Sequence, residues 1–126
     1  MKPEFQAGLS AELTEETTPS HAAPHLGSGG KSFYSTPAMI ALMERTSISV
    51  LQPYLEEGEN SVGVKVNVSH LAATTIGQKV RCKSTVEAIT GRRIVFAVEV
   101  YNEKEKIGEG THERAVINPK RFASSS

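Results

Sequence analysis

Polar and apolar residues alternate through much of the second half of the chain. Ile94, Phe96, Val98 and Val100 repeat with a period of two. Val62, Val64, Val66, Val68 and His70 do the same, with Lys65, Asn67 and Ser69 on the opposite face. A period of two marks a strand with one buried face. Strands are therefore predicted over 61–74, 78–89, 92–102 and 105–117. Gly77, Gly91 and the cluster Asn102-Glu103-Lys104-Glu105 separate them, which reads as a meander of antiparallel hairpins. Leu9, Ala11 and Leu13 alternate in a first strand that ends near Thr17.

After Ser35 the pattern changes to that of a helix. Thr36 reads as the N-cap, and Pro37 as the first helical residue, where a missing N–H does no harm. Pro53 stops the helix at about Gln52. At about 100° per residue, Ile40, Glu44, Ile48 and Leu51 project together, with Met39, Met43 and Val50 beside them. Ala38, Ala41, Arg45, Ser49 and Gln52 form the opposite, more polar side. Residues 18–35 follow neither period; with Pro19, Pro24, Gly27, Gly29 and Gly30 they read as a lid or entrance loop. The tail 118–126 is polar, and 1–126 reads as a single domain.

The order is strand, long helix, four strands. One helix cannot cover both faces of a five-stranded sheet. An antiparallel sheet can leave one face to water, but its edges still need management, and pairing between subunits is one solution. The expected fold is α+β: one long central helix wrapped by a curved five-stranded antiparallel sheet, in a dimer. That is the hot-dog architecture.

Two polar residues intrude on the apolar faces. Glu44 lies within the helix stripe, where a carboxylate is costly unless paired or employed. His70 ends the apolar stripe of its strand. Each has an ordinary alternative, a Glu at the edge of the stripe or a hydrogen-bonded core His. If the helix covers that strand, the two face each other across one interface and form an acid–base pair.

Composition narrows the functions. The 14 basic and 14 acidic residues cancel, so charge gives no case for nucleic acid or an acidic membrane surface. Cys82 is the only cysteine, which excludes a disulfide within the chain and suits a reducing compartment. No segment is long and apolar enough to span a bilayer, and the first residues hold no apolar signal region, so a cytoplasmic location is expected. Gly29-Gly30-Lys31-Ser32 hints at a phosphate loop, but His25 stands where its first glycine belongs. His21 and His25 have metal-like spacing without acid or cysteine companions. His112 reads as a residue of a strand's outer surface, and Lys79, Arg81 and Lys83 as a solvated face.

Several short motifs in order carry a resemblance. They are Thr36 and Glu44 on the helix, Pro53-Tyr54-Leu55-Glu56-Glu57-Gly58-Glu59, His70-Leu71-Ala72-Ala73-Thr74, Gly91-Arg92-Arg93, and Gly108-Glu109-Gly110-Thr111-His112-Glu113-Arg114-Ala115-Val116-Ile117. From about residue 5 to Phe122 the chain resembles the fluoroacetyl-CoA thioesterase family of hot-dog proteins. The resemblance implies an acyl-CoA thioesterase with Thr36, Glu44 and His70 as its active site. It also implies a homodimer with the site at the subunit interface, and no metal or cofactor beyond the CoA of the substrate. Phe33, Tyr34, Ala38, Met39, Gly63, Arg92 and Arg93 are the expected substrate-binding residues. The segment before the helix is shorter than the family's aromatic lid and holds only Phe33 and Tyr34, which implies a broader acyl range. A hot-dog hydratase or lyase and a non-catalytic acyl-CoA-binding module remain as alternatives.

Overall fold

A computed structural model describes residues 1–23 and 32–119. The elements are strand β1 (Ser10–Glu16), helix α1 (Thr36–Leu51), and strands β2 (Asn60–His70), β3 (Lys79–Thr90), β4 (Arg93–Tyr101) and β5 (Lys106–Ile117). The five strands form one antiparallel sheet in the order β1-β3-β4-β5-β2, with α1 packed on one face. This is the hot-dog arrangement. Strands β3, β4 and β5 make the expected meander. Strand β2 does not: it pairs with β5 at the far edge of the sheet rather than with β3. Gly77, read as a hairpin turn between them, instead donates its N–H to Thr17 O at the end of β1.

Helix α1 starts one residue earlier in its capping than expected. Ser35 is the N-cap: its backbone is extended, and its Oγ accepts from Ala38 N at 3.2 Å. Thr36 is already helical, so its hydroxyl is released from capping. Leu51 ends the helix, and Pro53 sits in the short 3₁₀ turn that follows.

The buried face of α1 is Met39, Leu42, Met43, Thr46, Ser47, Val50 and Leu51. It lies on Val80, Cys82, Ser84 and Val86 of β3 and on Ile94, Phe96, Val98 and Val100 of β4. This face is rotated from the one expected, because Thr46 and Ser47 are buried despite their hydroxyls. Thr46 Oγ1 donates to Leu42 O at 2.7 Å and Ser47 Oγ to Met43 O at 2.9 Å. Ser47 Oγ also meets Ser84 Oγ at 2.8 Å, so no polar atom of the three is stranded in the core. Ile40, Glu44 and Ile48 form a half-buried stripe at the margin of this face. The helix approaches β5 closely at Gly108, where a Cβ would lie 2.5 Å from Met39 Sδ.

Strand β2 changes phase at a bulge between Gly63 and Lys65. Ser61 and Gly63 pair with Val116 and Arg114 and face the helix. Beyond the bulge Val66, Val68 and His70 pair with His112, Gly110 and Gly108 on that same face. Val62 sits opposite Ala115 on the outer face. The continuous stripe expected from Val62 to His70 is thus broken. Val62, Val64 and Val66 are 42%, 41% and 40% exposed along a sheet edge that no other described strand pairs with. Among the described residues no helix is long and apolar enough to cross a membrane.

Candidate active site

The first turn of α1 lies beside the last residue of β2. There Thr36 Oγ1 stands 2.8 Å from His70 Nδ1, a contact open to it because Ser35 has taken the capping role. His70 Nε2 is buried and has no hydrogen-bond partner among the described residues. Burial pushes the His70 imidazole below its ordinary range, so the ring is neutral at pH 7. Thr36 and His70 line a cavity of about 550 Å³ with Phe33, Tyr34 and Leu71.

Phe33 and Tyr34 are fixed as cavity walls by short bridges, Phe33 to Thr75 and Tyr34 to Ala22. The Tyr34 hydroxyl donates to Glu15 Oε2 at 3.0 Å, and Arg45 Nη2 holds the other oxygen of that carboxylate at 2.8 Å. Burial and the Glu15 charge push the Tyr34 phenol far above its usual range, so it stays protonated. Residues 24–31 of the expected lid, with His25 and the glycines of the phosphate-loop reading, lie outside the described residues. Ala38 and Met39 supply no open amides. Ala38 N–H donates to Ser35 Oγ and Met39 N–H to Ser35 O.

Glu44 lies two turns further along α1, above Gly63 rather than His70. A Cβ on Gly63 would be 3.4 Å from Glu44 Oε2, 3.4 Å from Arg114 Nη1 and 3.2 Å from His112 Cε1. Eight helical residues separate Thr36 from Glu44, about 12 Å of rise. One chain therefore holds Thr36–His70 and Glu44–Gly63 as two separate clusters, and the expected face-to-face contact of Glu44 with His70 is not made within it.

Two residues beneath Gly63 complete the second cluster. His112, expected on the surface, is only 1% exposed, and Arg114 only 6%. His112 Nδ1 donates to Lys65 O at 2.9 Å, and Nε2 accepts from Arg114 Nη1 at 3.1 Å, so the imidazole is neutral. Burial is the main cause of its lowered pKa, and the Arg114 charge adds to it. Arg114 also binds Ser61 twice, from Nε to Oγ at 3.0 Å and from Nη2 to the carbonyl at 3.1 Å. Burial lowers its pKa, while the Glu44 charge opposes that shift. The sequence held one signal for this pair: both are in phase with the core residue Val116.

Arg92 and Arg93 stand elsewhere. Arg92 Nη1 binds Glu59 Oε2 at 3.0 Å and Arg93 Nη1 binds Glu113 Oε2 at 2.7 Å. Both lie at the β3–β4 turn, at the opposite end of β5 from Gly108 and His70. His21 Nδ1 accepts from Thr18 N–H, and among the described residues no three His, Cys, Asp or Glu side chains converge as a metal site.

The family model of the fluoroacetyl-CoA-specific thioesterases, FlK, matches residues 15–120. The chain belongs to this family. It is 39% identical over 89 residues to the fluoroacetyl-CoA thioesterase of Streptantibioticus cattleyicolor; the match covers 71% of this chain and 64% of that relative's length. A structure of the fluoroacetyl-CoA thioesterase FlK superposes with a TM-score of 0.85 at 31% identity, covering 96% of this chain and 94% of that one. A mutant of the same enzyme in complex with acetyl-CoA gives 0.85 at 29% identity, covering 96% of each chain. A thioesterase superfamily member from Thermus thermophilus gives 0.87 at 28% identity, covering 98% of this chain and 91% of that one.

Proposed function

We propose that this protein hydrolyses short acyl-CoA thioesters to the free acid and CoA, with Thr36, Glu44 and His70 acting at a dimer interface. The observation that carries this reading is the Thr36–His70 hydrogen bond, with a buried Nε2 at a cavity wall that has no partner among the described residues. A stranded polar atom is costly unless something binds it. When the Thr36 hydroxyl donates to Nδ1, Nε2 carries the proton. It can donate a hydrogen bond to the thioester carbonyl as negative charge gathers on its oxygen, while the departing thiolate takes up the proton that Glu44 removes from the attacking water. Glu44 supplies the attack, either by taking a proton from water or by adding to the carbonyl itself. The family's acyl-CoA relatives, one of them complexed with acetyl-CoA, support this substrate class. No metal or further cofactor enters the reaction.

The dimer follows from the free edge. Val62, Val64 and Val66 leave β2 apolar and unpaired, the kind of edge that takes another strand. A twofold axis crossing β2 at Asn67 pairs the two edges antiparallel, Val66 beside the partner's Val68, and the bulge after Gly63 then brings Gly63 beside the partner's His70. Glu44, above Gly63, then approaches the partner's Thr36–His70 pair, and each dimer holds two whole sites. Arg93 pairs with Ala115, which itself pairs with Val62, so Arg92 and Arg93 lie at the Val62 end of the sheet, two strands in from the proposed seam. There they can meet CoA phosphates. The free, buried Cys82 fits the cytoplasm as the setting.

Thiol release measured across acyl-CoA chain lengths tests the reading. Release that peaks at short chains supports hydrolysis. Binding without release selects the acyl-CoA-binding module, and a change in the acyl group with the thioester intact selects a hydratase or lyase.

A further inference from the structure

Arg114 is nearly buried, yet among the described residues no carboxylate is within ion-pair distance of it. Its three bonds, to Ser61 Oγ, Ser61 O and His112 Nε2, fix the guanidinium plane without neutralising it. A buried cation without a counter-charge is expensive. The acid that faces it is Glu44, across the space where Gly63 lacks a side chain. His112 cannot compete for that acid. Its Nδ1 proton is spent on Lys65 O and its Nε2 accepts from Arg114, so it acts as a neutral brace.

We propose that Arg114, braced by His112 and Ser61, is the positioning residue for Glu44, holding the carboxylate for reaction across the gap left by Gly63. The inference rests on the assignment of Glu44 to the chemistry. Gly63 is part of the device, because a Cβ there would touch Glu44 Oε2, Arg114 Nη1 and the His112 ring together. The bulge after Gly63 turns this residue to the helix side and so makes the arrangement possible. The groups facing Glu44 are Arg114 and His112 from β5. On β2, Lys65 pairs with Glu113 on the outer face. On α1, Arg45 is held by Glu15 toward β1. In the proposed dimer the partner's His70 faces Glu44 as well.

The test compares Arg114→Met, Arg114→Lys and Ser61→Ala with wild type and Glu44→Gln, reading kcat and KM on a short acyl-CoA. Arg114→Met is expected to lower kcat by about 100-fold with KM within about threefold, as misplacement of a reacting group does. Arg114→Lys recovers part of kcat. Ser61→Ala, which removes only the Oγ brace, gives a few-fold loss in kcat. A purely structural role would lower the melting temperature and leave kcat of the folded fraction unmoved. Folded Arg114→Met with wild-type kcat overturns the proposal. Where Arg114→Met does not fold, Ser61→Ala with wild-type kcat overturns it. An inactive Glu44→Gln beside a normal Arg114→Met refutes the positioning role alone. An active Glu44→Gln refutes the assignment beneath it.

Discussion

Replacing Thr36 with Val keeps the branched side chain and removes one hydroxyl, the group 2.8 Å from His70 Nδ1. A hydrogen bond of this kind has a net worth of about 1 kcal/mol, which sets the loss of stability. The consequence for rate is larger. Nothing then donates to Nδ1, so the proton is no longer biased to Nε2; a bias of about 1 kcal/mol is roughly a fivefold preference. The ring also loses its anchor, and a misplaced catalytic group costs up to about 100-fold. The expected result is a fall in kcat of about 10- to 100-fold with KM little changed. Thr36→Ser keeps the donor and loses only the stiffness that the methyl gives χ1, so it stays within about fivefold of wild type. Thiol release at saturating acyl-CoA measures the rate, and thermal melts of the same samples show a loss of a few degrees for Thr36→Val. A folded Thr36→Val enzyme with kcat within about twofold of wild type refutes the role given to this hydrogen bond. So does a Thr36→Ser enzyme as slow as Thr36→Val.

Val66→Lys puts like charges near one another across the proposed twofold, so it yields a monomer by light scattering and loses activity; a wild-type protein that is monomeric at micromolar concentration contradicts the shared site. With only Phe33 and Tyr34 as described aromatic walls at the acyl end, fluoroacetyl-CoA and acetyl-CoA should show kcat/KM within about tenfold, a difference of at most about 1.4 kcal/mol in transition-state binding. Steady-state kinetics showing a preference of several orders of magnitude rules that out. Burial lowers the pKa of both His70 and His112, so the unfolded chain binds more protons than the native one at and somewhat below its ordinary imidazole range. Stability is therefore held above about pH 6.5 and lost as pH falls toward the lowered native values. Denaturant melts in which His112→Gln, the change at the more buried ring, leaves that acid dependence intact contradict the assignment.

The architecture was legible because period-two strands and one amphipathic helix are strong signals in a chain of this size. The order of the strands was less so, since a hairpin and a return to the far edge look alike in sequence. The phase of β2 was hidden by its bulge, which slips the register after Gly63 and leaves no mark in composition. The buried face of α1 was misjudged because a stripe drawn through apolar residues passes over Thr46 and Ser47, each of which satisfies its hydroxyl on its own helix. Ser35 and Thr36 are equally able caps, and only the fold decides that Ser35 caps while Thr36 meets His70. The same separation explains the site. Glu44 and His70 were both legible as intruders on apolar faces. That they lie in two separate clusters, with Arg114 and His112 beneath one of them, depends on strand register, which a single sequence does not encode locally.

Thiol release from acetyl-CoA by Glu44→Gln, set beside wild type, tests most directly whether Glu44 does the chemistry. Gln is nearly isosteric with Glu, so the variant should match wild type in melting temperature and oligomeric state. Its amide can neither attack the thioester nor take a proton from water, so turnover should fall by at least about 1,000-fold. A folded Glu44→Gln protein that turns over within about tenfold of wild type contradicts that assignment.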